Sequence, residues 1–263
     1  MAALKWLFSC VLLANFSTCQ ESSCGTKRSK AQPGVEWPWT VAIMEYNFGK
    51  KYLCAGTLIS NKHVMTAAHC FDGKSTNPRR YTVLVETTAT TSGTEYKSQK
   101  IDFHPTYIRG TAYGDIAIIT LRSEIPEVTT PICLPSPDDS FDFKPAFVAQ
   151  WLPNTPDLSG PYQLRIQRVL ISANDVCKTE YASQQLKELN RGISRTHMCT
   201  DLRGKQGDCH TLNGSPLMAT DRSVRWIAVA VASFRPRCDD QTNPGIYTRV
   251  SLYLPWIQKI IRG

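Results

Sequence analysis

A chain of 263 residues can hold one large domain or two fused smaller ones, and its 42% hydrophobic residues exclude a disordered protein. The formal charge of +8 suits contact with anionic surfaces, glycans or acidic proteins, and it equally suits the solubility of an exported domain. The basic residues are scattered (Lys27, Arg28 and Lys30; Arg79 and Arg80; Arg235 and Arg237) with no interleaved aromatics, so no nucleic-acid partner is expected.

Residues 1–19 have the pattern of a secretory signal peptide: one basic residue, Lys5, an apolar run from Trp6 to Phe16, then small and polar residues. Ser9, Asn15, Ser17 and Thr18 crowd that run, and a membrane anchor needs roughly 20 apolar residues, so no membrane insertion is expected. The mature domain is then 20–263, secreted and extracellular, and loss of Lys5 lowers the charge from +8 to +7. Cys10 and Cys19 belong to the signal region, which leaves Cys24, Cys54, Cys70, Cys133, Cys177, Cys199, Cys209 and Cys238. An even set in an exported chain reads as a disulfide framework. Zinc is the alternative, but no C-x-x-C spacing occurs, so neither metal nor cofactor is expected.

Along the mature chain, short β-branched and aromatic runs recur between Gly, Pro, Asn and Asp: 39–44, 81–87, 116–121, 169–172 and 226–234. This spacing predicts an all-β barrel or sandwich. Residues 174–189, which begin with Asn174 and Asp175, predict a helix, and a second helix over 251–262 places Leu252, Trp256 and Ile260 on one face. The proline-rich stretch 131–161 reads as a connector between halves.

Several motifs then fall in a fixed order. Trp37-Pro38-Trp39-Thr40-Val41, Cys54-Ala55-Gly56-Thr57-Leu58 and Thr66-Ala67-Ala68-His69-Cys70 come first. His104-Pro105-Thr106-Tyr107, Gly114-Asp115-Ile116-Ala117 and Pro131-Ile132-Cys133-Leu134-Pro135 follow. Asn243-Pro244-Gly245-Ile246-Tyr247-Thr248-Arg249-Val250 leads into the last helix. The chain resembles the trypsin-like serine proteases over essentially its whole mature length. That resemblance implies two six-stranded antiparallel β-barrels, the first about 37–134 and the second about 146–250, with a C-terminal α-helix. It also implies that His69 is a general base and Asp115 the carboxylate that fixes its tautomer.

The nucleophile segment departs from the family pattern. Cys209-His210-Thr211-Leu212-Asn213-Gly214-Ser215-Pro216-Leu217 aligns without a gap and puts Asn213 at the serine position. An amide is not activated by histidine, so the acyl-enzyme route is closed. The resemblance further implies that Thr211 replaces the oxyanion-hole glycine and that Leu212 replaces the aspartate that anchors an activated amino terminus. Gly207, Ser233 and Arg235 would stand in the specificity pocket, with Arg235 obstructing it. The implied bridges are Cys54–Cys70, Cys24–Cys133, Cys177–Cys199 and Cys209–Cys238. One further family bridge is missing at both ends, at Ala146 and Ala219.

A rival register reads Gly207-Asp208-Cys209 as the nucleophile motif with a thiolate, at the cost of an insertion over 210–213 and an unpaired Cys238. On the gapless register the chain is expected to be no enzyme but a pseudoprotease. It would bind an extracellular protein, a protease or its substrate, as cofactor or decoy in innate immunity or a protease cascade. Binding of an anionic surface or glycan, and residual hydrolysis through Cys209, are the alternative readings. Asn213-Gly214-Ser215 is also a glycosylation sequon, expected to be unmodified because it would lie on the cleft floor.

Overall fold

The computed structural model describes residues 24–26, 35–126, 129–155, 160–201, 213–234 and 244–263. Twelve strands run in chain order: β1 (Thr40–Tyr46), β2 (Lys50–Ser60), β3 (His63–Thr66), β4 (Tyr81–Val85), β5 (Thr94–Phe103), β6 (Ala117–Leu121), β7 (Pro145–Pro153), β8 (Tyr162–Ser172), β9 (His197–Asp201), β10 (Pro216–Thr220), β11 (Trp226–Phe234) and β12 (Gly245–Arg249). They close into two antiparallel barrels, ordered β1-β2-β3-β6-β5-β4 and β10-β11-β12-β9-β8-β7. Closure removes the exposed sheet edges that open sheets must protect.

One apolar cluster runs through both barrels, from Trp39, Ile118 and Phe71 in the first to Met218, Ala228 and Tyr253 beyond it. Two indoles tie the halves: Trp39 Nε1 donates to Met218 Sδ at 3.0 Å, and Trp151 Nε1 donates to the Val41 carbonyl at 3.1 Å. Burying large aromatics whose N–H groups find partners avoids the cost of an unpaired donor. Bridges form at Cys24–Cys133, Cys54–Cys70 and Cys177–Cys199, as the family pattern implies. Cys209 and Cys238 lie outside the described residues.

Several element boundaries need correction. The connector expected over 131–161 contains β7, whose prolines are its first and last residues; there they cost no ladder hydrogen bond in the strand's interior. β8 runs from Tyr162 rather than from residue 169, because its first part alternates half-buried apolar residues with Gln and Arg. The helix expected over 174–189 is shorter. α1 (Asn174–Tyr181) buries Cys177 and Tyr181, four residues apart, and the next positions on that face, Gln184 and Gln185, are polar. A separate 3-10 turn covers Lys187–Leu189. The last helix also starts later than 251. Val250–Tyr253 is a 3-10 turn, and α2 (Leu254–Arg262) begins with Pro255 in its first turn, where the missing N–H costs nothing. Leu252 is therefore exposed, and Leu254 and Ile257 carry the buried face.

Candidate active site

The first barrel supplies His69 through the 3-10 turn Ala68–Phe71 that follows β3. The Cys54–Cys70 bridge ties this turn to β2, and Thr66 Oγ1 donates to the Ala55 carbonyl at 2.7 Å just before it. Asp115 lies just before β6 and is buried, with 1% exposure. Its carboxylate accepts from the His69 backbone N–H at 2.9 Å through Oδ1, and Oδ2 lies 2.7 Å from His69 Nδ1. Ser233, on β11 of the second barrel, donates its hydroxyl to the same Oδ2. Thr248 Oγ1 on β12 donates to the Asp115 carbonyl at 2.9 Å.

This arrangement holds the imidazole proton on Nδ1 and leaves Nε2 as the basic nitrogen. Nε2 makes no hydrogen bond of good geometry among the described residues. Burial of the ring lowers its pKa, but attraction to Asp115 and the hydrogen bond with it more than compensate. The Asn213 side chain and Asp72 add to the effect, and the histidine sits above its ordinary value of 6.5.

Asn213 comes from the second barrel, just before β10. The Ala55 N–H donates to its carbonyl at 3.0 Å, the Gly214 N–H donates to Ala232 at 3.0 Å, and the Ala232 N–H donates to Ser215 at 2.8 Å. Gly214 has φ +73°, and a Cβ there would collide with Thr66 Oγ1 and the Ala55 carbonyl. Only glycine fits this crossing of the two barrels. Ser215 is fully buried, and its hydroxyl has no hydrogen-bond partner among the described residues.

The strand register bears on the alignment. β10 pairs β7 with Leu217 opposite Val148 and Met218 opposite Phe147; one further step sets Ala219 opposite Ala146, both buried in one cluster. This pairing fits the gapless and the rival registers alike, since the two differ only before Gly214. Thr211, Leu212, Gly207, Asp208, Cys209, Arg235 and Cys238 lie outside the described residues. Ser233, the residue expected in the specificity pocket, bonds Asp115. The sequence reading missed this, since the bond spans 118 positions. Cys54, His69 and Cys70 present ligand atoms within 4.8 Å of one another, but both sulfurs are committed to their disulfide, so no thiolate is free to ligate.

The Trypsin family model matches residues 26–257. The chain belongs to the trypsin family. It is 30% identical over 237 residues to the clotting factor G beta subunit of Tachypleus tridentatus, covering 86% of this chain and 76% of that protein. It is 31% identical over 232 residues to transmembrane protease serine 11G of Mus musculus and 31% over 230 residues to that of Rattus norvegicus. Those alignments cover 85% and 84% of this chain but only 52% of each transmembrane protease, about half its length.

These relatives overturn the expectation that the chain is no enzyme. It belongs to a family whose members here include named proteases, and its histidine and carboxylate are set in place. The contrary expectation rested on one amide at Asn213 and on neighbours that lie outside the described residues.

Proposed function

We propose that this trypsin-family chain works outside the cell by holding a polypeptide segment of a partner protein in the cleft between its barrels, at His69 and Asn213. The observation that carries this reading is the position of the Nε2 atom. It is a basic nitrogen, oriented by a buried carboxylate and buried against the Asn213 side chain, at the seam where the second barrel meets the first, so a bound segment must displace that side chain to reach it. The three disulfides among the described residues favour an oxidising compartment.

Asn213 offers no nucleophile, so hydrolysis at this site runs through water. His69 Nε2 takes a proton from a water attacking the bound carbonyl, Asp115 stabilises the imidazolium that results, and collapse of the tetrahedral intermediate breaks the C–N bond as the imidazolium returns that proton to the departing amine. Loss of one triad member leaves roughly 10³–10⁴-fold acceleration over water, which sets the slow scale expected here.

A panel of labelled peptides tests the proposal. Saturable binding is expected, weakened at least about tenfold by Asn213→Arg, which sets a long side chain beside His69. Mass spectrometry of the bound peptides should find slow cleavage that His69→Ala removes. Peptide affinity unchanged by Asn213→Arg would place binding elsewhere and overturn the reading.

A further inference from the structure

Residues 107–114, which lead into Asp115, are tied to the second barrel through an imidazole. His197 opens β9 and is wholly buried. Its Nδ1 accepts the Ser194 backbone N–H at 3.0 Å, and its Nε2 lies 3.1 Å from the Ala112 carbonyl. A backbone N–H can only donate and a carbonyl can only accept, so the ring is neutral with its proton on Nε2. This is the opposite tautomer to that of His69. Thr248 of β12 stands across from His197 in the strand register and donates to the Asp115 carbonyl at 2.9 Å, so neighbouring residues of two strands hold the same segment at 112 and at 115. Between them, Tyr113 meets the His197 ring edge-on with centroids 5.3 Å apart.

A second proton on the ring disrupts this arrangement. On Nδ1 it points at the Ser194 N–H. The Ser194 hydroxyl, 3.2 Å from Nδ1 and 2.7 Å from Thr196 Oγ1, can turn to accept it, but the buried N–H then loses its acceptor. Burial disfavours charge on this ring and holds its pKa below 6.5, and its backbone partners at Ala112 and Ser194 and the charge of Asp115 offset only part of that. Among the described residues, the ionisable groups packed around it come from four elements. Asp115 and Tyr113 lie on the segment it holds. Arg249 of β12 donates through Nη2 to the His197 carbonyl at 3.4 Å, and Tyr253 follows on the next 3-10 turn. Glu188 and Arg191 lie on the loop whose backbone meets Ala112 and Tyr113. Both tyrosines are raised above their ordinary value by burial and stay neutral, and the Asp115 carboxylate is already bonded to His69 and Ser233.

We propose that His197 is a positioning residue operated by a proton: neutral, it clamps residues 107–114 to β9 and keeps Asp115 in place for His69; protonated, it lets that segment go. A partner held in the cleft at neutral pH is then released in an acidified compartment. Only this effect on a bound partner rests on the cleft reading.

The test follows amide exchange in residues 107–114 of the full protein, each rate being divided by its unfolded-chain value at the same pH. Each pH unit below the ordinary histidine value of about 6.5 favours the open, protonated form by up to tenfold, so protection should fall at least about tenfold from pH 7 to pH 5. His197→Gln, whose amide can still donate to the Ala112 carbonyl but does not titrate, should keep its protection over that range. A ring that merely fills space would change Tm on substitution without moving this profile. Affinity for the tightest-binding peptide of the panel should fall alongside protection in the native protein and not in His197→Gln; His69 titrates in both and cancels from the comparison. If no peptide binds at pH 7 the cleft reading fails, and exchange still decides the clamp. The ring ¹⁵N spectrum of the native protein needs no variant. It should show His197, identified by its ring contacts with Tyr113, protonated on Nε2 alone at pH 7. Protection that holds to pH 5, an equal fall in His197→Gln, a proton on Nδ1 at pH 7, or peptide affinity that ignores the loss of protection overturns the proposal.

Discussion

His69 and Asp115 form a pair whose energetics depend on proton occupancy. Burial works against charge on the imidazole, yet Asp115 more than reverses it, so the folded-state pKa lies above 6.5. A group with a raised folded pKa contributes stability that is fully present below its unfolded value and lost as pH rises through the folded value. The pair therefore stabilises the fold below about pH 6.5, the usual histidine value, and that contribution fades above it. His63, His104 and His197 have lowered pKa values through burial and act in the opposite sense as pH falls. Comparison with His69→Gln removes their effect from the difference. Urea unfolding should show the stability advantage of the native protein over His69→Gln shrinking as pH rises above 6.5. A constant difference would mean that the ring is not raised.

At the scale of strands, the pairing of β7 with β10 gives a direct check on where Asn213 sits. Since Ala146 and Ala219 stand opposite each other when the register is continued, Ala146→Cys with Ala219→Cys should close a disulfide spontaneously. It should raise stability by about 2–4 kcal/mol in the oxidised form only. Two free thiols after air oxidation would break the register that carries Asn213 to His69. Legibility from sequence varied with how each element buries its residues. β11 was read with its full bounds because its interior is buried on both faces. β8 was read only at its end, where Val169 and Ile171 alternate cleanly, and β7 was lost between prolines that mark its limits. The last helix lost its phase because the 3-10 turn before it rotates Leu252 out to solvent.

Across the whole molecule, the site exists only because the two barrels are locked together. Asp115 of the first barrel is bonded by Ser233 and Thr248 of the second, and Asn213 of the second accepts from Ala55 of the first. His69, Asp115 and Asn213 were named through the resemblance of their motifs to those of the trypsin-like proteases. The Ser233 bond and the demand for glycine at Gly214 were not, since both arise from contacts between barrels rather than from local pattern. The most direct measurement is the ring ¹⁵N spectrum of His69, identified by its loss in His69→Gln, with and without the tightest-binding peptide of the panel. A polypeptide held at the seam should move the Nε2 signal on saturation and leave the Nδ1 proton hydrogen-bonded to Asp115. Saturation with peptide that leaves both ring nitrogens where they were would contradict the account.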